Sequence, residues 1–254
     1  MKKISFLLIL AIAIISCQDD NGNEPIGATS GDVNFRFSNM VGTDVLTLNT
    51  TSYTNGSAET YEVSELKYII SNIVFIDANG NEFVYPQANS YFVINEENAS
   101  SKNITLTDVN GGDYTQVRFG FGVDQSNYPL NGINNFVPTA EELGMLWTWS
   151  AGYKFLKFEG TFDSATQTDE PFLLHIGSHG TTQDNYREIT ISLGNNPISV
   201  SESPTQSVNV AMDVAKIFDG TNTHSLEEKS EIQVDPVYAP ILTGNMQSAF
   251  SLDQ

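Results

Sequence analysis

One cysteine, three histidines and two tryptophans stand in 254 residues, and 11 basic residues face 31 acidic ones. A single cysteine excludes a disulfide within the chain, so stability must come from burial alone. The shortage of bases leaves a net charge of −20, which repels nucleic acid and anionic membrane surfaces and attracts cations. No Gly-x-Ser-x-Gly elbow and no phosphate-binding glycine loop is present, so nucleophilic and nucleotide chemistry have no motif behind them. Carboxylates are plentiful but unordered. A hydrolase would need two of them in one cleft, and nothing in the order of residues joins candidates such as Asp124 and Glu159. There is no internal repeat and no sustained helical period.

The longest apolar run is Ile4 to Ile15, behind the basic start Met1-Lys2-Lys3. It is too short to span a bilayer and fits the core of a secretory signal, here residues 1–16. Ser16-Cys17 follows directly and resembles a bacterial lipobox. Cleavage before Cys17 and lipidation of its thiol would tether the chain to a membrane. Gln18-Asp19-Asp20 resembles the acidic export tag of surface lipoproteins in the Bacteroidetes group. The expected address is therefore lipid-anchored and extracytoplasmic, at the outer membrane or cell surface. Residues 17–31 are polar and read as a flexible tether; residues 32–254 are long enough for one sizeable core.

Within that domain the pattern is one of short strands. Asp32 to Phe37 and Tyr114 to Asp124 alternate polar with apolar, the period of a half-buried strand. Further strands are expected at Val45–Leu48, Ser71–Ile76, Phe83–Tyr85, Tyr91–Ile94, Ile104–Leu106, Tyr153–Phe158, Phe172–Ile176, Arg187–Leu193, Pro197–Val200 and Gln206–Met212. Tyr61 to Ile70 reads as a helical turn or an irregular crossing into its strand. Asn79-Gly80 marks a hairpin turn. Asp77, Asn79 and Asn81 start like a calcium loop, but the glycine comes two places early and no glutamate stands at the twelfth position, so they read as a turn. Thr139 caps a short helix to Leu143, and Val214–Phe218 is a second candidate turn of helix. Ile241 to Leu252 ends as an edge strand or docked tail. The class is all-β: an antiparallel β-sandwich with long loops and one or two short helices.

Both tryptophans fall in Gly144-Met145-Leu146-Trp147-Thr148-Trp149-Ser150-Ala151-Gly152-Tyr153-Lys154-Phe155-Leu156-Lys157-Phe158-Glu159-Gly160, and two of the three histidines close the next strand, Phe172-Leu173-Leu174-His175-Ile176-Gly177-Ser178-His179-Gly180. Neutral imidazole suits copper or zinc, and a thioether at Met145 would favour a soft ion. His175 and His179 are four apart, but glycines around them argue for a strand end and loop, where both rings can still meet one ion. Core packing would use Met145 and the tryptophans as well. Extended backbone would put Trp147 and Trp149 on one side. His224, in a polar stretch, is expected at the surface.

The Trp-x-Trp-x-x-Gly-Tyr element with the following His-Ile-Gly resembles the MbnP-like family of periplasmic or surface copper-binding proteins. Phe35-Arg36-Phe37, Leu66 to Ile73, Tyr114 to Asp124, and Gly244-Asn245-Met246 with Phe250 extend the likeness over nearly the whole mature chain. The resemblance implies a β-sandwich that binds copper, with one tryptophan oxidised to kynurenine by a dihaem cytochrome c peroxidase-like partner. Carried over, Trp147 or Trp149 is the modified residue, and His175, then His179, is the ligand. The chain departs from the family in its few histidines. The expected function is copper uptake or storage without catalysis; the alternative is a surface adhesin or glycan-binding module with no metal.

Overall fold

The computed structural model describes residues 29–124, 136–147, 152–178 and 183–253. Cys17, Trp149 and His179 lie outside them. The described strands are β1 (Ser30–Val41), β2 (Asp44–Val45), β3 (Ser52–Thr54), β4 (Thr60–Asp77), β5 (Glu82–Val84), β6 (Tyr91–Asn95), β7 (Asn103–Asn110), β8 (Gly112–Phe121), β9 (Leu156–Asp163), β10 (Glu170–Ile176), β11 (Arg187–Ser192), β12 (Ile198–Val200), β13 (Gln206–Asp213), β14 (Glu231–Ile232) and β15 (Phe250–Leu252), with helices α1 (Val137–Glu142), α2 (Lys216–Asp219) and α3 (Tyr238–Met246). One sheet runs β15-β13-β1-β2 with β7 also on β1; the other runs β11-β8-β4-β9-β10-β14, with β12 on β8 and β3, β5 and β6 on β4. The fold is a mostly β, sandwich-like pair of curled sheets. The pairs β1–β13 and β10–β14 are parallel and the rest antiparallel.

Alternation places the core. In β1 Val33, Phe35 and Phe37 point inward while Asp32, Asn34 and Arg36 are less buried. Phe37 meets Tyr68 and Phe119 edge-on, at ring separations of 6.4 and 6.3 Å, and Phe35 meets Phe75 at 5.9 Å. These contacts join the two sheets. The end of the chain completes them: Phe250 packs edge-on against Tyr68 at 5.9 Å and Phe119 at 5.4 Å.

The organising strand is β4, one continuous run of 18 residues. The expected helical turn at its start does not form, because Tyr61, Val63 and Leu66 find strand partners on both sides. Its first half pairs with β9 and its second half with β8. The change of partner falls at Ile69, whose N–H donates to the Phe155 carbonyl at 3.0 Å and whose carbonyl accepts from Gly122 N–H at 2.9 Å. Gly122 has φ +94°, and a Cβ there would stand 2.3 Å from the Phe155 ring, so only glycine lets these strands meet.

Other expectations shift by small amounts. Asp77 does nucleate the hairpin: Asn79 N–H and Asn81 N–H both donate to its Oδ1 at 2.8 Å. Helix α1 starts at Val137 with Pro138 in its first turn and no side-chain cap, so Thr139 is inside it. Strand character ends at Val45 and does not reach Leu48. The tail contains helix α3 before its edge strand. Its interior Gly244 and flat apolar pattern hide the helical period. No described helix is long and apolar enough to cross a membrane.

Candidate functional site

The two segments singled out by composition meet. Leu146 and Tyr153 form an isolated antiparallel bridge. Trp147 N–H donates to the Gly152 carbonyl at 3.2 Å, and Lys154 N–H to the Met145 carbonyl at 2.7 Å. Phe155 N–H then donates to the Ile176 carbonyl, docking this loop on the end of β10. Trp147 lands beside His175, with ring centroids 6.1 Å apart and planes at 57°. Both are buried, at 6% and 9% exposure. Gly177 makes the close approach possible, since a Cβ on it would lie 2.2 Å from the Tyr153 carbonyl oxygen and 3.2 Å from Trp147 Nε1.

A patch of charge stands beside this pair. The registers Lys67↔Lys157↔His175 and Glu65↔Glu159↔Leu173 lay six side chains as two rows across β4, β9 and β10. Side chains two apart on a strand share a face, so all six lie on the face opposite core residues such as Leu66, Phe158 and Leu174. Lys67 meets Lys157 and Glu65 meets Glu159 across β4 and β9, so like charges stand opposite, and the pairing runs within and diagonally between strands. Glu65 holds Lys67 at 2.6 Å and Lys157 at 2.9 Å; Lys157 also reaches Glu159 at 3.3 Å; Glu159 Oε1 lies 2.6 Å from His175 Nε2. Lys154 completes the surround. Its ammonium stands 5.2 Å over the Trp147 ring and donates to the Gly144 carbonyl at 3.0 Å.

Burial sets the protonation states. It pushes His175 below the ordinary histidine value, against the Glu159 hydrogen bond, which works the other way. The ring is therefore biased to the neutral form that binds metals. Burial likewise lowers Lys154, helped by the charge on Lys157. For Lys157 burial disfavours the charge, but the hydrogen bond and charge of Glu65 together with Glu159 outweigh it, and the net shift is upward.

The donor set matches copper in part. His175 Nε2 faces Glu159, and Nδ1 makes no hydrogen bond among the described residues, so one neutral imidazole nitrogen is free to ligate. Among the described residues no group of three or more His, Cys, Asp and Glu assembles as a metal cluster. His179 and Trp149, the other residues singled out in the sequence, lie outside the described residues. Met145 is wholly buried within the hydrophobic core, as a packing side chain.

His224 corrects its expectation. It is 3% exposed, stacked on Phe218 at 6.3 Å and bonded through Nε2 to the Lys229 carbonyl at 2.9 Å. A polar local sequence did not reveal this, because the burial comes from α2 and from Tyr238 packing on the ring at 5.6 Å. Asp124 and Glu159 sit in separate clusters. Asp124 accepts from Asn72 Nδ2 at 2.6 Å and the Tyr91 hydroxyl at 3.2 Å, whereas Glu159 serves His175 and Lys157. In the sequence Glu159 stands out only as a spare carboxylate, Lys157 and Lys67 only as members of a strand and of a family segment, and Glu65 not at all. Their alternation with apolar residues in two strands was the available signal, but the register that joins them is tertiary.

No curated protein sequence matches the chain. Its fold is similar to that of a solved structure, MbnP from Methylosinus trichosporium, with a TM-score of 0.51 and 12% identity over 82% of this chain and 82% of that one. At that identity the likeness is one of architecture. The MbnP family model matches residues 30–235, a span that takes in β1 through β14 and the whole Trp147–His175 region. The chain belongs to the MbnP family.

Proposed function

We propose that this protein is a lipid-anchored, extracytoplasmic copper-binding protein acting in copper uptake or storage, held to the membrane through Cys17. The observation that carries the reading is Trp147 buried against His175. A glycan-binding or adhesive platform would expose its aromatic ring, and 6% exposure of Trp147 favours the metal reading over that alternative. Family membership links the chain to copper. His175 and His179 would hold the ion as cargo, with Trp147 or Trp149 oxidised by a dihaem cytochrome c peroxidase-like partner to complete the donor set. Met145 packs in the core and is not assigned a ligand role.

The test is copper titration and intact mass of the chain from Cys17 onward, purified from its own host and from a heterologous one. His175→Ala should weaken copper at least ~10-fold, since a lost ligand is not replaced in a buried site. A host-specific mass gain on Trp147 or Trp149 with tighter binding supports the oxidised-tryptophan step. Unchanged affinity in both His175→Ala and His179→Ala overturns the site.

A further inference from the structure

We propose that Glu159 is a positioning residue that fixes His175 as the Nε2–H tautomer and turns Nδ1 into the atom that meets the metal. This assignment rests on the copper-binding reading and names the ligating atom within it.

An ionised carboxylate only accepts, and a neutral imidazole carries one N–H. Glu159 Oε1 lies 2.6 Å from His175 Nε2, so the proton of the neutral ring belongs on Nε2. That leaves the lone pair on Nδ1, which has no hydrogen bond among the described residues. An imidazole whose second nitrogen donates to a carboxylate is oriented and made more basic toward a metal.

Glu159 is itself held by a chain of charges. Its strand neighbour Lys157 faces the same oxygen at 3.3 Å. Lys157 is drawn the other way by both oxygens of Glu65 at 2.9 Å, and Glu65 takes Lys67 at 2.6 Å. The order of charges from β4 to β10 is thus cation, anion, cation, anion, imidazole. The positions come from the registers of three paired strands, which are stiffer supports than loops. Trp147 borders the ring at 6.1 Å and Gly177 keeps the following backbone close to the indole.

The experiment is ring-nitrogen NMR of isotope-labelled apo protein, followed by Cu(I) addition, for the wild type, Glu159→Gln and Glu159→Asp. The Gln variant keeps size and removes the obligate acceptor; the Asp variant keeps the charge and withdraws it by one methylene. Expected are a single Nε2–H tautomer of His175 in the apo wild type, a Cu(I)-induced shift at Nδ1, mixed tautomers in Glu159→Gln, and copper affinity weaker by ~10–100-fold with partial recovery in Glu159→Asp. An apo wild type in the Nδ1–H form, or tautomer populations unchanged in Glu159→Gln, overturns the proposal. An Nε2–H wild type in which Cu(I) moves neither nitrogen of His175 overturns the copper reading and the metal-facing role of Nδ1 with it. The apo spectrum tells that failure apart from failure of the Glu159 contact. Should Glu159→Gln fail to fold by near-ultraviolet circular dichroism, Glu159→Asp and the apo wild-type spectrum decide alone.

Discussion

Lys67 and Lys157 face each other directly across β4 and β9, and Glu65 binds both, at 2.6 and 2.9 Å. Two like charges opposite one another destabilise a sheet, so the shared carboxylate is what makes the arrangement tolerable. The two cations next to the Trp147–His175 pair therefore share Glu65, with Glu159 a second, more distant partner of Lys157 at 3.3 Å. Removing Glu65 acts on two lysines at once and, through Lys157, on Glu159.

Glu65→Ala is accordingly expected to destabilise the protein by ~1–2 kcal/mol, more than Lys67→Ala at ~0–1 kcal/mol, because it removes the acid paired with Lys67 and the nearer of the two acids paired with Lys157. Denaturant midpoints at fixed slope measure both. Equal effects would mean that the lysines relax into solvent.

Gly177→Ala tests the docking of the loop on β10. The added methyl would meet the Tyr153 carbonyl at 2.2 Å and the indole nitrogen of Trp147 at 3.2 Å. The clash with backbone has no flexible end to yield, so the expected cost is ~1–3 kcal/mol, a fall in Tm of roughly 2–12 °C for a domain of this size. Tryptophan fluorescence should report a more polar indole environment. Unchanged fluorescence and Tm would show that the two segments separate freely.

Acid should loosen the structure through Glu59. This carboxylate is buried and accepts from Asn55 Nδ2 and Ser225 Oγ at 2.6 Å and from Leu226 N–H and Glu227 N–H at 2.8 Å. Burial alone would raise its pKa, but these hydrogen bonds outweigh burial and hold it below the ordinary value of 4.5. A group with a depressed folded pKa stabilises fully above its unfolded value and loses that contribution as pH falls through the folded one. Glu59→Gln should cost ~1.5–3 kcal/mol at pH 7, and its gap from the wild type should close below pH 4.5. A gap that stays constant with pH would show that folding does not shift the pKa of this carboxylate.

Copper binding should follow His175. Ligation needs the neutral ring, and burial keeps its pKa below 6.5. Affinity is expected to hold from neutral pH down to 6.5 and to fall as pH drops through the lowered value. Loss already above pH 6.5 would assign the dependence to another group.

The helical content and the burial of His224 show what local sequence could not carry. His224 lies among polar residues, yet Phe218 and Tyr238, distant or on other elements, close over it. Gly244 inside α3 weakened its helical signature, and the helix forms because Ala239, Leu242 and Met246 are buried by the fold. The continuous β4 likewise needs partners to hold Tyr61 to Ile70 extended.

Alternation in β1 and β8, the Asp77 turn, the strand ending at His175 and the Trp-x-Trp element were written in the chain. They fixed an all-β domain, pointed to His175 and Trp147, and carried the MbnP resemblance, because side-chain period and turn chemistry act over a few residues. The three-strand register that sets Glu159 on His175, the glycine that lets Trp147 lie beside that ring, and the choice of Nδ1 as the free nitrogen were decided only by tertiary structure. They depend on pairing between β4, β9 and β10, which brings together Glu65 and His175 from 110 residues apart in the chain (175 − 65), and no short-range rule sets the register of strands so far apart.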